Sequence, residues 1–193
     1  MRLKLIGLVA VVTGSLFAGC QRPAHQPKSS PEMDTRFLRD YSETWGFSAG
    51  HPTGVHLTPD GEAVLFLRSG PRDVVRNLYE MNTATGEVRG LIRAADLLAG
   101  AEEKLTVEEK ARRERAREIG RGFTWYSLSE DGEKILTGLS GRLYVIQRKS
   151  GEFAPLRDNP AGTPIDARFS PDGRYVSCIR SHDLYVTDLN TLE

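Results

Sequence analysis

The stretch SPDGRYVSCIRSHDLY, residues 170–185, has two counterparts earlier in the chain: TPDGEAVLFLRSGPRDVVRNLY at 58–79 and SEDGEKILTGLSGRLY at 129–144. Each copy begins with an Asp-Gly turn, continues with residues that favour β-strands and ends in Leu-Tyr, and another turn follows seven residues after each Tyr. Pro suits the second position of a type I turn, Asp bonds to its own backbone, and Gly tolerates a positive φ. A unit of strands and turns that recurs along a chain predicts a repeat protein built from β-sheet.

The spacing of the copies is that of a propeller blade. Gly132 and Gly173, in the second and third Asp-Gly turns, are 41 residues apart, which is about the length of one four-stranded blade. Gly61 and Gly132 are 71 residues apart, so one blade carries an insertion. A β-sandwich also alternates strands with Gly-rich turns, but it does not require a constant interval from Tyr to turn. We therefore expect an all-β fold, a partial β-propeller of about three four-stranded blades.

The insertion, at about residues 96–119, has the composition of an α-helix. Thr106 and Glu109 fit a capping box, in which the Thr hydroxyl accepts from the Glu amide and the Glu side chain reaches back. Gly120 follows as a natural end of the helix. Two i,i+4 ion pairs are expected along it: Glu108 with Arg112, and Glu109 with Arg113. Because its apolar stripe is thin, we expect this helical arm to project or to lie against a polar surface.

The first 19 residues have the features of a secretory signal, with a basic start, an apolar middle and small residues before Cys20. Small residues directly before a Cys resemble the lipobox of bacterial lipoproteins, which implies that Cys20 is lipidated, and Gln21 implies sorting to an outer membrane. An ordinary cleaved signal with an incidental Cys is the alternative. Residues 20–35, with several Pro and Ser, are expected to form a flexible tether. Cys178 would then be the remaining Cys, a small buried hydrophobic residue.

Charge and residue spacing argue against several classes of function. The chain has 26 basic and 26 acidic residues, and no broad basic face that would neutralise phosphates, so no nucleic-acid partner is expected. The four His show no metal-ligand spacing with one another, with Cys or with carboxylates. We expect neither a metal nor another cofactor.

One segment, Gly46 to Gly50, matches the Gly-x-Ser-x-Gly motif around a catalytic serine. That motif needs a buried strand before the Ser and a helix directly after it. No apolar strand precedes Ser48, and Pro52 prevents a helix after it. Asp166 and His182 could complete the order Ser-Asp-His, but a chain of this size supplies such residues by chance. A small esterase that uses Ser48 is therefore a remote alternative, and no catalytic residue is assigned.

Two segments together resemble a known family: the helical run from Glu108 to Arg117, and Gly122-Phe123-Thr124-Trp125-Tyr126 after it. They are similar to the helical arm of the dipeptidyl peptidase IV subfamily of prolyl oligopeptidases, in which the arm also lies between blades with Pro-Asp-Gly and Leu-Tyr repeats. The resemblance covers residues 36–193 and implies the first portion of an N-terminal eight-bladed propeller. It also implies that an Arg near the end of the arm binds the backbone carbonyl of the substrate's second residue. Residue-by-residue matching places that role on Arg117.

The same resemblance implies that catalysis lies elsewhere. The family's nucleophile, Asp and His belong to a C-terminal α/β-hydrolase domain, which these 193 residues do not contain, and the paired Glu that binds the substrate amine is also absent. Closed propellers take ~4–8 blades, so residues 36–193 are expected to be an incomplete propeller. Our interpretation is a fragment of a lipid-anchored serine exopeptidase that serves substrate access and recognition and is inactive alone. The alternative is a non-catalytic propeller lipoprotein that binds a peptide, glycan or protein at the cell envelope.

Overall fold

A computed structural model describes residues 34–157 and 161–191. The predicted signal segment 1–19, Cys20 and nearly all of the predicted tether lie outside the described residues. The elements run in the following order: α1 (Arg36–Glu43), β1 (Thr53–Leu57), β2 (Ala63–Arg68), β3 (Val75–Asn82), β4 (Val88–Ile92), α2 (Ala94–Leu97), α3 (Val107–Ala116), β5 (Arg121–Gly122), β6 (Tyr126–Leu128), β7 (Lys134–Leu139), β8 (Arg142–Gln147), β9 (Phe153–Pro155), β10 (Ile165–Phe169), β11 (Tyr175–Arg180) and β12 (Asp183–Asp188).

The strands form three antiparallel sheets, each from consecutive segments of the chain. The first sheet has the order β1-β2-β3-β4, and the short β5 pairs with β3 in parallel. The second has the order β6-β7-β8-β9, and the third contains β10-β11-β12. These are the blades of a propeller-type all-β fold, as predicted. The third sheet has three strands within the described residues.

The sequence repeats occupy equivalent places in the three sheets. Each Asp-Gly turn joins the first and second strands of its sheet, and each Leu-Tyr pair lies on the third strand. In the first turn, Thr58 Oγ1 accepts from the amide of Ala63 at 3.0 Å, and Asp60 Oδ1 accepts from the amide of Glu62 at 3.0 Å. Ser129 and Ser170 make the same contacts in their turns. One local hydrogen-bond pattern, encoded by the motif, therefore closes all three hairpins.

The turn carboxylates are held in their charged form by these contacts. The hydroxyl of Thr58 and the amide of Glu62 both donate to Asp60, and these hydrogen bonds hold its pKa well below the usual range. Asp131 and Asp172 have pKa values lowered for the same reason, with the Ser hydroxyl as the first cause. A carboxylate that accepts several hydrogen bonds loses stabilising contacts when it is protonated.

The apolar core consists of two layers, one between each pair of neighbouring sheets. Ile135 and Ile146 of the second sheet pack in the layer shared with the first sheet. Their chain neighbours Leu136 and Val145 point the other way, into the layer shared with the third sheet, where Cys178 is also buried. Successive side chains on a strand face opposite sides, so the second sheet is buried on both faces. The prediction that Cys178 is a buried hydrophobic residue is confirmed.

Charged side chains also connect the first two sheets. Glu80 on β3 is buried and accepts from Arg148 Nε at 2.7 Å, and it is also bonded to Arg89 on β4. Arg148, which follows β8, donates as well to Asp60 Oδ2 at 3.0 Å. Buried charges are tolerated when they are paired and hydrogen-bonded, and this cluster meets that condition.

The helix α1 precedes the first sheet and was not predicted from the sequence. Arg72, in the loop between β2 and β3, binds Asp40 at 2.7 Å and also binds Glu43. The helix therefore meets the first sheet through its charged side. Phe37 and Tyr41 stay exposed and contact each other and Phe47.

The two ends of the strands in the first sheet carry different connections. The turns β1–β2 and β3–β4 lie at one end, because the strands are antiparallel and consecutive. The β2–β3 loop and the segment that follows β4 lie at the other end. The segment after β4 contains α2 and α3, so the helical arm lies at the end opposite the Asp-Gly turn.

Candidate functional site

The helical arm begins with the cap that the sequence predicts. Thr106 is the N-cap of α3, and its hydroxyl accepts from the amide of Glu109 at 3.2 Å. The second half of the predicted capping box is different, because the Glu109 carboxylate binds Arg112 at 2.8 Å and Arg113 at 2.7 Å. Burial alone would raise the pKa of Glu109, but the hydrogen bonds from the two Arg outweigh it and hold that pKa below the usual range.

Of the two ion pairs predicted along the helix, one is present and the prediction of the other is wrong. Glu109 pairs with Arg113 as expected. Arg112 pairs with Glu109 instead of Glu108, and it also donates to Thr124 Oγ1 at 2.6 Å. The Glu108 carboxylate is engaged by its own backbone amide and by the hydroxyls of Thr163 and Thr106, which lower its pKa. Local capping contacts at the first turn of the helix therefore replaced the pair that helical spacing predicted.

Arg113 holds the helix against the chain segments that precede and follow it. Only 5% of this residue is exposed. Its guanidinium binds Glu103 Oε1 at 2.6 Å, and it donates to the carbonyl of Gly120 at 3.0 Å. Glu103 Oε2 in turn accepts from the amide of Gly122 at 2.9 Å. A helix with almost no apolar stripe is thus docked through a buried guanidinium that makes several hydrogen bonds, which agrees with the expectation of a polar contact surface.

Gly122 allows the chain to return from the arm to the sheets. Its φ is +74°, and a Cβ atom at this position would lie 2.4 Å from the carbonyl oxygen of Arg76. Here β5 pairs with β3, and the next amide, of Phe123, donates to the same oxygen at 3.1 Å. Phe123 is buried in the first core layer. The close approach of the two backbones is possible only for glycine.

Arg117 is the C-cap residue of α3 and has a left-handed backbone, with φ of 52°. Its amide is bonded to carbonyls of the last helical turn, and its side chain is exposed. Within residues 34–157 and 161–191 no hydrogen bond or ion pair of this side chain is present. Its assignment as a substrate-binding residue stays a prediction. Cys20, the predicted lipidation site, lies outside the described residues.

A cavity of about 320 Å³ lies at the base of the arm, between the first strands of the first two sheets. It is lined by Thr53, Gly54, His56, Leu67, Arg76, Glu118, Thr124, Trp125 and Tyr126. Arg76 Nη2 and Glu118 Oε1 form an ion pair of 2.8 Å, and both side chains are about four-fifths buried. Burial would raise the pKa of Glu118, but the hydrogen bond and charge of Arg76 hold it below the usual range.

His56 and Tyr126 also line this cavity. The Tyr126 hydroxyl lies 2.6 Å from the carbonyl oxygen of Gly54 and 2.8 Å from that of Leu65, and its single proton goes to one of them. His56 Nδ1 lies 3.0 Å from the same hydroxyl and 3.1 Å from the carbonyl oxygen of Gly54, so it carries a proton and donates to one of these two oxygens. In neutral His56 this leaves Nε2 as an acceptor. Burial raises the pKa of Tyr126 above its usual range.

Ser48 does not belong to a catalytic triad in this structure. Its hydroxyl donates to the carbonyl of Trp45 at 2.6 Å. His51 and Asp73 line the same small cavity, but the Asp73 carboxylate accepts from the amides of Val74 and Val75. Among the described residues no hydrogen bond joins these three side chains. Asp166 lies on β10 and His182 in the β11–β12 turn of the third sheet, and neither is bonded to Ser48.

No group of three or more His, Cys, Asp or Glu within residues 34–157 and 161–191 could hold a metal ion. None of the helices within the same ranges has the length and apolarity needed to cross a membrane.

Comparisons with known proteins agree with the propeller-type fold. No family model matches the chain. It is similar to a chain from a structural and mechanistic study of two prolyl endopeptidases, with a TM-score of 0.52 and 13% identity over 78% of this chain and 22% of that chain. TolB from Acinetobacter baumannii gives 0.48 at 15% identity, over 75% and 31% of the two chains. Dipeptidyl peptidase 4 from Porphyromonas gingivalis gives 0.46 at 21% identity, over 79% and 20%.

The chain therefore spans less than a third of the length of each of these proteins. At such identities the similarity to the prolyl endopeptidase shows the fold alone. The prediction of an all-β, propeller-type fold is confirmed, and the family resemblance holds at the level of a peptidase-propeller-like fold. The dipeptidyl peptidase IV subfamily is not distinguished from other propellers by these comparisons.

Several residues of the site were missed by sequence reasoning. Glu103, Arg76 and His56 meet the arm or its cavity only through contacts between segments that are distant in the chain. The signal that could have directed attention to Glu103 is its position just before the cap of a helix with no apolar face, where a buried Arg needs a carboxylate partner.

Proposed function

We propose that this chain supplies the first blades of the propeller of a lipid-anchored, dipeptidyl peptidase IV-like serine exopeptidase, where it controls substrate access and binds the peptide. The catalytic α/β-hydrolase domain would belong to a longer protein. The observation that carries the proposal is the arm between the first two sheets, which is fixed by the buried Arg113 and ends in the exposed Arg117.

The geometry of the arm suits Arg117 to a peptide carbonyl. The Arg113 contacts hold the last turn of α3, so the backbone of Arg117 starts from a fixed point. The guanidinium offers several donors in a rigid plane, and its exposed position leaves them available to a ligand. A hydrogen bond from a charged donor is worth about 1.5–3 kcal/mol.

The activity is tested by expressing the complete reading frame that contains this chain and assaying release of dipeptides from Gly-Pro and Ala-Pro chromogenic substrates. We expect Arg117→Ala to lower kcat/KM by about 10–100-fold, with little change in thermal stability. Arg115→Ala is the matched control, since Arg115 is exposed on the same helix. Arg112 does not serve as a silent control, because it bonds to Glu109 and Thr124. Equal losses of kcat/KM in the Arg117 and Arg115 variants would mean that the arm acts only as a generic charged surface.

Attachment to the membrane through Cys20 is tested separately. We expect Cys20→Ser to abolish labelling with palmitate and to block processing of the precursor. One acyl chain binds only marginally, so stable anchoring relies on the several chains that lipoprotein maturation adds. Unchanged labelling in the variant would disprove the lipoprotein assignment.

The alternative function is a non-catalytic propeller lipoprotein that binds a peptide, glycan or protein at the envelope. It predicts no dipeptide release from the complete protein and no effect of Arg117→Ala on any hydrolysis. Peptide binding by the propeller would then persist without turnover. The assay above thus separates the two functions.

A further inference from the structure

The cavity at the base of the arm contains hydrogen-bond donors and acceptors that are not engaged by other groups of the described residues. Of the donors of the Arg76 guanidinium, one on Nη2 is engaged by Glu118 Oε1. Glu118 Oε1 also accepts from the amide of Gly120 at 3.3 Å, and within the described residues Glu118 Oε2 has no hydrogen bond. Both side chains are about four-fifths buried, and both line the cavity.

The ion pair presents a positive and a negative group side by side at one wall. A ligand with an ammonium and a carboxylate can match both, because its ammonium binds Glu118 and its carboxylate binds Arg76. His56 also lines the cavity, and in its neutral form Nε2 is a further acceptor, since Nδ1 carries the proton. A ligand of one charge alone would leave one member of the pair unmatched.

The remaining walls and the size of the cavity suit a small peptide. Trp125 provides apolar surface against which a side chain or a pyrrolidine ring can pack. The volume of about 320 Å³ is at the lower end of ordinary ligand pockets. That volume accommodates two residues and excludes a folded partner.

We propose that the cavity between β1 and β6 is a binding site for a short zwitterionic peptide with free amino and carboxyl ends, held by Glu118 and Arg76. The choice of a dipeptide as ligand rests on the proposed function, whose product would be a dipeptide. The site itself is separate from Arg117, and it lies on residues that the proposed activity does not use. A released dipeptide retained there would occupy the base of the arm.

Binding is measured with the complete chain by tryptophan fluorescence. The sequence contains two Trp residues, and Trp45→Phe leaves Trp125, in the wall of the cavity, as the reporter. Titration with Ala-Pro is expected to give a saturable change in emission. N-acetylated Ala-Pro and Ala-Pro amide are expected to bind at least about tenfold more weakly, because each lacks one charged group.

Variants of the ion pair test the assignment of residues. Glu118→Gln and Arg76→Gln are expected to weaken Ala-Pro binding at least about tenfold. The matched controls are Asp96→Asn and Arg93→Gln, which remove a surface ion pair of 2.7 Å outside the cavity and should leave binding unchanged. If either cavity variant fails to fold by circular dichroism, His56→Phe at an exposed position serves in its place and should weaken binding severalfold.

Three results would overturn the proposal: no saturable change at millimolar Ala-Pro, equal binding of the blocked peptides, or equal losses in the control variants. The measurement needs no catalytic domain. If this chain binds Ala-Pro but the complete protein releases no dipeptide, the binding site is supported and the proposed peptidase function is rejected. If the complete protein releases dipeptides but this chain does not bind Ala-Pro, the peptidase function is supported and the binding site is rejected.

Discussion

Arg113 is the side chain on which docking of the arm depends. It is buried, and its partners are Glu103, Glu109 and the carbonyl of Gly120. Helical spacing predicts its pairing with Glu109, because that contact is local. The contacts with Glu103 and Gly120 were not predictable, because they require the segments before and after the helix to meet.

We expect Arg113→Ala to lower the free energy of unfolding by about 3–5 kcal/mol, since it leaves Glu103 buried without its cation. Urea denaturation followed by circular dichroism measures the change. Arg115→Ala, exposed on the same helix, should change the free energy by no more than about 0.5 kcal/mol. A loss equally small for Arg113 would mean that the arm is not docked in solution.

The turn carboxylates make stability depend on acid. The pKa of Asp131 is lowered in the folded state, first by the hydroxyl of Ser129 and then by the amide of Glu133. Its contribution is therefore complete above the unfolded pKa of about 3.9 and is lost as the pH falls through the lower folded pKa. We expect Asp131→Asn to flatten the acid limb of the unfolding free energy between about pH 5 and about pH 2. An acid limb that is unchanged in the Asp131→Asn variant would contradict this prediction.

At the scale of elements, the repeated hairpins were predictable and the helix α1 was not. The Asp-Gly motif specifies its turn through contacts within six residues, so its three copies form the same turn. In α1 the charged side faces the sheet through Arg72, and the aromatic residues stay exposed. This is the reverse of the usual rule for amphipathic helices, and a reading of apolar periodicity does not anticipate it.

The short strand β5 depends on a single glycine. A Cβ at position 122 meets the Arg76 carbonyl at 2.4 Å and also requires a left-handed backbone. We expect Gly122→Ala to lower the free energy of unfolding by at least about 2 kcal/mol. Gly86→Ala is the control, because its φ is +72° but no atom lies within 4 Å of the added carbon. The control therefore measures the backbone strain alone, about 1–2 kcal/mol.

For the molecule as a whole, the second sheet is the centre of stability. Both of its faces are covered, whereas residues on the outer strands of its neighbours are open: Leu184 is 71% exposed and Val55 58%. The alternation of apolar residues predicts which residues share a face. It does not reveal that both faces of one sheet are buried, because that depends on the packing of three blades.

Leu136→Ala, in the layer between the second and third sheets, should lower the free energy of unfolding by about 2–5 kcal/mol. The same substitution at Leu184 should cost no more than about 0.5 kcal/mol in the described chain, since its side chain contacts mainly solvent. Thermal and urea denaturation of both variants decide the matter. A large loss at Leu184 would show that a neighbouring surface covers β12 in solution.

The buried pair of Glu80 and Arg148 has a kinetic consequence. The two residues are 68 positions apart, whereas each hairpin closes over a few residues. Closing so long a loop is entropically costly, so we expect the pair to form late, after the individual sheets, and to contribute nothing to the folding transition state. In stopped-flow experiments Arg148→Met should therefore accelerate unfolding and leave the refolding rate nearly unchanged. The charges between the first two blades would then determine the unfolding rate, and the local turns would determine the folding rate.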